Sequence, residues 1–354
     1  MKIKVHSSEL NRMMKTLTQC IDAKSATLGN IEVIYDNNLL SIRGTNGHCS
    51  AVMSTPLLGG DGETFCVDGT MFARVCAMCS GEINIETDGK VCTVKGAGRT
   101  RLPIVDAKIP AFEPVTGKEF KIRSEAFTKG YNSVSYAISQ DQNRLVLTGV
   151  LMESDGDSIS MTALDGFKMA VEKIPCESAD IKVVIPGSFM KLISSSTSVG
   201  ESITFRTNGK RIQASTDGMM LNCVLLTGEY PDCKKIVPTD FKTKVLTSAS
   251  SLMAALKCGT VVNSSNNLVK LDIGREKMTV MSNSEQADYD AEVNCFNDSD
   301  ELKIAFNHKY LMESIGSFCE EKIIMHFNSP ISPCVIRRKD VDGFRLILPV
   351  RVAG

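Results

Sequence analysis

Cys76 and Cys79 form a C-x-x-C pair, the spacing that could chelate a metal or close a disulfide. A zinc site needs a second pair at a set distance, and none follows. The four histidines, His6, His48, His308 and His326, are scattered along the chain. Thirteen cysteines is an odd number, and Met1-Lys2-Ile3-Lys4-Val5 lacks the apolar stretch of an export signal. A disulfide framework is therefore not expected, and the cysteines read as small buried hydrophobes, Cys76 and Cys79 on one helix face. Neither metal nor cofactor is expected. Gly96-Ala97-Gly98 runs into Arg99-Thr100-Arg101 without the third glycine of a dinucleotide loop, and no phosphate-binding loop, nucleophile elbow or H-E-x-x-H is present. No carboxylate pair stands out. The residues point away from an enzyme.

Charge is the next clue. Lys and Arg number 40 against 41 Asp and Glu, a net charge of -1. A protein that holds DNA by neutralising many phosphates is usually strongly basic. Either DNA is irrelevant here or it is held by something other than tight ionic binding. No run of 18 apolar residues exists, so no membrane span is expected and the chain reads as cytoplasmic.

The elements that position these residues repeat three times. Lys2-Ile3-Lys4-Val5, Glu119-Phe120-Lys121-Ile122 and Lys242-Thr243-Lys244-Val245 are alternating strands, each followed by a serine able to cap a helix: Ser8, Ser124 and Ser248. Amphipathic stripes follow: Leu10, Met13, Met14, Leu17 and Ile21; Phe127, Tyr131, Val134 and Ile138; Leu252, Ala255 and Leu256. A second strand-to-helix step recurs in each third, through Asp68-Gly69, Pro186-Gly187 and Phe306-Asn307. Asp88-Gly89 and Asn208-Gly209, set between alternating runs, predict hairpins. The fold class is α+β, with three domains at 1–117, 118–240 and 241–354, each an internally duplicated strand-helix-strands unit.

Helices are predicted at 9–22, 70–80, 124–138, 187–198, 248–262 and 307–319. They carry seven cations, Arg12, Lys15, Arg74, Lys129, Lys191, Lys257 and Lys309, and four anions, Glu9, Asp22, Glu125 and Glu313. Every helix has at least one cation. If the repeats close into a ring with helices inside and sheets outside, these cations line the hole.

Five stretches resemble the bacterial beta sliding clamp family, in the same order and across the whole chain. They are Asn143 to Gly149 (NRLVLTG), Ala163 to Ala170 (ALDGFKMA), Tyr230 to Pro238 (YPDCKKIVP), Ser329 to Pro333 (SPISP) and Leu348 to Val352 (LPVRV). The resemblance implies a head-to-tail homodimer, a six-domain ring around double-stranded DNA, with no catalytic activity of its own. Lys24 resembles a basic DNA contact of the family, and Gln140 and Asp141 fall in a loop that the family places near DNA. It also implies a hydrophobic groove between domains 2 and 3 that captures peptides of the replicative polymerase catalytic subunit, the clamp loader, and clamp-motif proteins such as repair polymerases, ligase and mismatch-repair factors. Matched motif to motif, the groove comprises Arg144, Leu147, Leu164, Gly166, Phe167, Lys168, Met169, Pro231, Lys235, Ile236, Ile331, Pro333, Leu346, Leu348, Pro349, Val350 and Arg351. Apolar walls would bury peptide anchors and cationic rims would orient the peptide. Phe167-Lys168 replaces the family's common His-Arg, making the pocket greasier and removing a bidentate donor. The tail runs on by Ala353-Gly354. Leu102 and Ile104 would meet Val261 and Val262 of the partner copy. The rival readings are a monomeric scaffold that never meets DNA, and an enzyme, for which the sequence offers no candidate site.

Overall fold

The structure is a computed structural model that describes residues 2–57, 63–96, 98–176, 179–262, 267–318, 322–339 and 342–351. Met1, Ala97, Cys319, Val352, Ala353 and Gly354, all within sequence features singled out above, lie outside the described residues.

One order of elements runs three times. The first round is β1 (Lys2–His6), α1 (Ser7–Leu17), β2 (Asn30–Asp36), β3 (Leu39–Thr45), β4 (Cys49–Pro56), β5 (Glu63–Asp68), α2 (Gly69–Ala77), β6 (Glu82–Thr87), β7 (Val91–Lys95) and β8 (Arg99–Pro103). The second is β9 (Lys118–Arg123), α3 (Ser124–Val134), β10 (Gly149–Asp155), β11 (Ser158–Leu164), β12 (Lys168–Pro175), β13 (Lys182–Pro186), α4 (Gly187–Ser196), β14 (Ser202–Thr207), β15 (Arg211–Thr216) and β16 (Met219–Val224). The third is β17 (Thr243–Ser248), α5 (Ala249–Gly259), β18 (Leu268–Ile273), β19 (Lys277–Asn283), β20 (Asp288–Asn297), β21 (Leu302–Asn307), α6 (His308–Gly316), β22 (Lys322–Phe327), β23 (Cys334–Arg337) and β24 (Gly343–Ile347).

Local caps open four of the six helices. Asp68, Ser248 and Asn307 accept from the backbone N–H groups of Met71, Ser251 and Tyr310, satisfying donors that the first turn leaves free. Two expected caps are corrected. β1 runs directly into α1, so Ser8 lies inside the first turn and the His6 ring accepts from its N–H. Ser124 opens α3 itself, and its hydroxyl donates to the Ser198 carbonyl at 2.7 Å. The helices are also shorter than the apolar stripes suggest. α1 stops at Leu17, although Ile21 stays buried in the turns that follow, because burial outlasts the helical ladder. Val261 and Val262 likewise fall in a turn beyond α5. Both predicted hairpins form, β6 with β7 and β14 with β15. Gly89 and Gly209 sit at φ +84° and +80°, which a side chain would strain. The Asp88 and Asn208 carboxyl and amide oxygens accept from the two N–H groups that follow.

The chain divides into two compact units. Unit 1 comprises Met1–Phe127, Cys176–Ala179 and Ser188–Leu225, and unit 2 comprises Thr128–Pro175, Asp180–Gly187 and Leu226–Gly354. Unit 1 holds a sheet in the order β1-β6-β7-β8 and an eight-stranded sheet, β5-β2-β3-β4-β16-β15-β14-β9. α1 buries Leu10, Met13, Met14 and Leu17 against β3, β4 and α2, leaving Lys15 in solvent. Unit 2 holds one twelve-stranded sheet, β13-β10-β11-β12-β24-β23-β22-β17-β20-β19-β18-β21. There Leu252 and Leu256 of α5 and Leu311 and Ile315 of α6 cover Val269, Leu271, Val280 and Met325. Each such side chain contributes about 1.5–3 kcal/mol when fully buried. In both units the repeat boundary is spanned by antiparallel pairing: β4 with β16, and β12 with β24.

The β12–β24 ladder carries an ionic core. Glu172 takes one hydrogen bond from Arg338 and one of 2.8 Å from Arg345 Nη2, and all three side chains are buried. Arg345 also donates to the Ser317 hydroxyl at 2.7 Å and the Val171 carbonyl at 2.8 Å, and lies over the Phe318 ring. Glu172→Gln would leave two guanidinium groups in the interior without their anion. Urea unfolding is expected to show unit 2 destabilised by about 3–5 kcal/mol; a loss below about 1 kcal/mol would show the ladder holding without the ion pair.

Candidate functional site

Alternation along two paired strands builds the candidate peptide groove, which lies wholly within unit 2. In the β12–β24 register Met169 faces Leu346 and Val171 faces Phe344, while Lys168 faces Ile347 and Ala170 faces Arg345. Successive side chains point to opposite faces of a sheet. Met169, Val171 and Leu346 therefore share one face, where they join Leu147, Leu164 and Val335 in a single buried apolar cluster. Half-buried Val146, Tyr230, Cys233, Val237, Phe241 and Phe344 pack around it. The cluster thus draws on the middle repeat, the last repeat and the segment joining them.

The predicted residues fall into distinct groups. Leu147, Leu164, Met169 and Leu346 form the floor. Phe167 and Leu348 are tied to each other, with the Leu348 N–H donating to the Phe167 carbonyl at 2.9 Å, and both are exposed, at 58% and 37%. The Val350 N–H donates to the Ala305 carbonyl at 2.8 Å, so Pro349 is held between two backbone anchors and Arg351 projects as an exposed cation beyond them. Pro231, Lys235 and Ile236 follow Tyr230, whose hydroxyl donates to the Thr162 carbonyl at 3.2 Å and so fastens the connecting segment to β11. Ile331 is 62% exposed in the turn before β23, and Pro333 leads from it into buried Cys334 and Val335. Burial pushes the Cys233 thiol up to about 11, with Asp232 and Glu153 adding to the shift, so it packs there as a neutral group.

Lys168 is a correction. It was expected on a cationic rim, but alternation turns it to the face opposite Met169, where it is 6% exposed. Its ammonium is bonded to Glu313, lies 3.7 Å from Asp165, and sits over the Tyr310 ring at 4.6 Å and the Tyr136 ring at 5.4 Å. It braces α6 against β12. The cations available on this side are Arg144 and Lys235, both exposed. The Arg144 guanidinium comes about 4.0 Å from where a Cβ on Gly166 would stand. Gly166 has φ +97°, and Asp165 accepts from the N–H groups of Phe167 and Lys168, which turns the Phe167 ring outward. That ring stacks on Tyr310 with centroids 6.0 Å apart. Asp141 is occupied capping the short 3-10 helix Gln142–Thr148, which contains Arg144, and accepts from Asn143.

Val171 and Val335 belong to the cluster, and Tyr230 packs against it, although motif matching did not select them. The two-residue alternation of 168–172 and 343–347 would have found Val171 and separated it from Lys168.

The candidate DNA-facing cations are surface residues. Lys15, Lys24, Arg74 and Lys191 are exposed in unit 1, and Lys129, Lys257 and Lys309 are exposed in unit 2. Arg12 is exposed as well and holds Glu9 at 3.1 Å, while Lys309 lies 3.9 Å from Glu313. Of the candidate interface residues, Leu102 lies on β8 opposite Cys92 in its own sheet and is 6% exposed. Ile104 is half-buried, Val262 is half-buried and Val261 is 87% exposed. No helix among the described residues is long and apolar enough to cross a membrane.

Comparison with known proteins follows the same residues. The family model for the central domain of the DNA polymerase III beta subunit matches residues 121–232, and that for its C-terminal domain matches 234–351. The beta sliding clamp of Staphylococcus epidermidis is 29% identical over 228 residues, an alignment covering 61% of this chain and 60% of that protein. The beta sliding clamp of Streptomyces coelicolor is 23% identical, with both chains covered in full. The crystal structure of the DNA polymerase sliding clamp from Bacillus subtilis superposes with a TM-score of 0.93 at 21% identity, covering 100% of both chains, which establishes the shared fold. With successive domains matched in order and the three-round architecture superposing end to end, the chain belongs to the family of bacterial DNA polymerase III beta subunits, the beta sliding clamps.

Proposed function

We propose that the chain is a processivity factor that works as a head-to-tail homodimer, a closed ring enclosing duplex DNA and tethering the replicative polymerase. The observation that carries the reading is a pairing rule with one term missing. The fourth strand of each repeat pairs with the last strand of the next repeat: β4 with β16, then β12 with β24. The next term would pair β20 with a last strand of a further first repeat, which is β8. Among the described residues β8 pairs with β7 alone, and residues 288–294 of β20 pair with β19 alone. Two copies can satisfy both open edges at once, and a head-to-tail contact used twice closes on itself. Pairing also covers edges that would otherwise template aggregation. Phe296 of β20 and Val261, exposed at 63% and 87%, would be covered in the same contact.

Enclosure resolves the charge balance. A ring need not bind phosphates tightly, and a chain of net charge -1 does not. Lys15, Lys24, Arg74, Lys129, Lys191, Lys257 and Lys309, with Arg12, would steer the duplex through weak, exchangeable contacts that permit sliding. The apolar floor beside Phe167 and Leu348 would take up the short peptides through which the polymerase catalytic subunit, the clamp loader and repair proteins reach the ring.

Light scattering is expected to show a dimer that Val261→Asp converts to monomer, and the dimer, once loaded, should stay on nicked circular DNA and be lost when the circle is cut. Equal retention on linear DNA would exclude enclosure. A synthetic peptide from the polymerase catalytic subunit is expected to bind Leu348→Asp about 30-fold more weakly, some 2 kcal/mol, while the dimer persists. Unchanged affinity would remove Leu348 from the groove.

A further inference from the structure

We propose that Cys20 and Cys49 of unit 1 are an oxidisable dithiol that closes a reversible disulfide between the end of α1 and the start of β4. The two sulfurs lie 3.2 Å apart. A disulfide bond is about 2.05 Å long, so closing it asks for roughly one ångström of motion. Both thiols sit on held backbone. The Cys20 N–H donates to the Leu17 carbonyl at 2.8 Å, just past α1. Cys49 donates its N–H to the Asn46 side-chain oxygen at 2.8 Å, and its carbonyl accepts from the Thr45 hydroxyl at 2.9 Å. Cys20 is buried and Cys49 half-buried, so a small oxidant would reach Cys49 first and Cys20 would resolve the product.

A third thiol sharpens the choice. Cys223 stands directly opposite Cys49 in the β4–β16 ladder. It is buried, and burial pushes its thiol up to about 12, with Cys49 adding to the shift. Cys49 is thus the central sulfur of three, in contact with Cys20 and adjacent in the ladder to Cys223.

Hydrogen peroxide supplies the oxidising power. Deprotonated Cys49 Sγ attacks one peroxide oxygen, the O–O bond breaks, and the departing hydroxide takes up a proton as water. Cys20 Sγ then attacks the resulting sulfenic sulfur. The S–S bond forms as the S–O bond breaks, and the second water leaves with the remaining proton. Two thiols lose two protons and two electrons, and one peroxide becomes two waters. A small dithiol reverses the bond by exchange. The Cys20 contact and burial hold the Cys49 thiol well above its ordinary range, so its thiolate is scarce at neutral pH and the oxidation should quicken as pH rises.

The test exposes the native full-length chain to hydrogen peroxide, alkylates the remaining thiols, and maps peptides without reductant. The expected product joins a Cys20 peptide to a Cys49 peptide, disappears with dithiothreitol, is absent from Cys20→Ser and persists in Cys223→Ser. Thermal unfolding of the wild-type chain should move upward on oxidation and return on reduction, because the bond constrains the unfolded chain between residues 20 and 49. A Cys49–Cys223 product would overturn the assignment. So would recovery of both Cys20 and Cys49 as alkylated or singly over-oxidised residues in the wild-type chain.

Discussion

Strand β12 can meet β24 in one register only, because a slip by a single residue would exchange the two faces of the ladder. One face carries Met169, Val171 and Leu346, the apolar floor of the proposed groove. The other carries Lys168, Glu172 and Arg345, buried charges that find their partners only there. Slipping would set guanidinium and carboxylate groups against the apolar cluster and leave each unpaired, which is far costlier than losing backbone bonds that could re-form. The Glu172, Arg338 and Arg345 core thereby specifies the pairing on which the groove rests, whatever its net contribution to stability.

The same ladder explains how a site of weak polarity can be well defined. The exposed end of β24 is held by backbone bonds from Leu348 to Phe167 and from Val350 to Ala305. The turn at Asp165-Gly166 is fixed by the Asp165 carboxylate, and Tyr230 fastens the connecting segment. Apolar side chains that remain partly exposed on such a frame need not reorganise to receive a ligand, which limits the entropy lost on binding. With Phe167 turned outward and Lys168 turned inward, the groove's edge is aromatic where the family commonly places His-Arg. Recognition there would depend on apolar contact and on the exposed cations Arg144, Lys235 and Arg351, not on Lys168.

A repeat that pairs its strands with those of the next repeat cannot be self-sufficient at both ends. Unit 1 leaves β8 with a single partner and unit 2 leaves part of β20 with one, among the described residues. The proposed ring follows from that incompleteness more directly than from charge. In that proposed ring the surface cations on the helices would form a lining whose contacts stay weak enough for sliding.

Much was legible in the sequence because it is set locally. Two-residue alternation marked the strands opening each repeat, Asp88-Gly89 and Asn208-Gly209 marked hairpins, and apolar stripes marked the buried faces of α1, α3 and α5. These signals depend on neighbours a few residues apart, so they survive without knowledge of the fold. Helix ends were overdrawn because burial of Ile21 continues after the hydrogen-bond ladder stops. Side of the sheet was the harder matter: alternation sets Lys168 and Met169 on opposite faces, but only the tertiary structure shows that Lys168 meets Glu313 of α6 while Met169 joins the apolar cluster. Pairing between residues as distant as Glu172 and Arg345, or the contact of Cys20 with Cys49, was likewise decided by the tertiary structure. Long-range contacts are selected by the joint packing of whole strands, and no short stretch of chain encodes that choice alone.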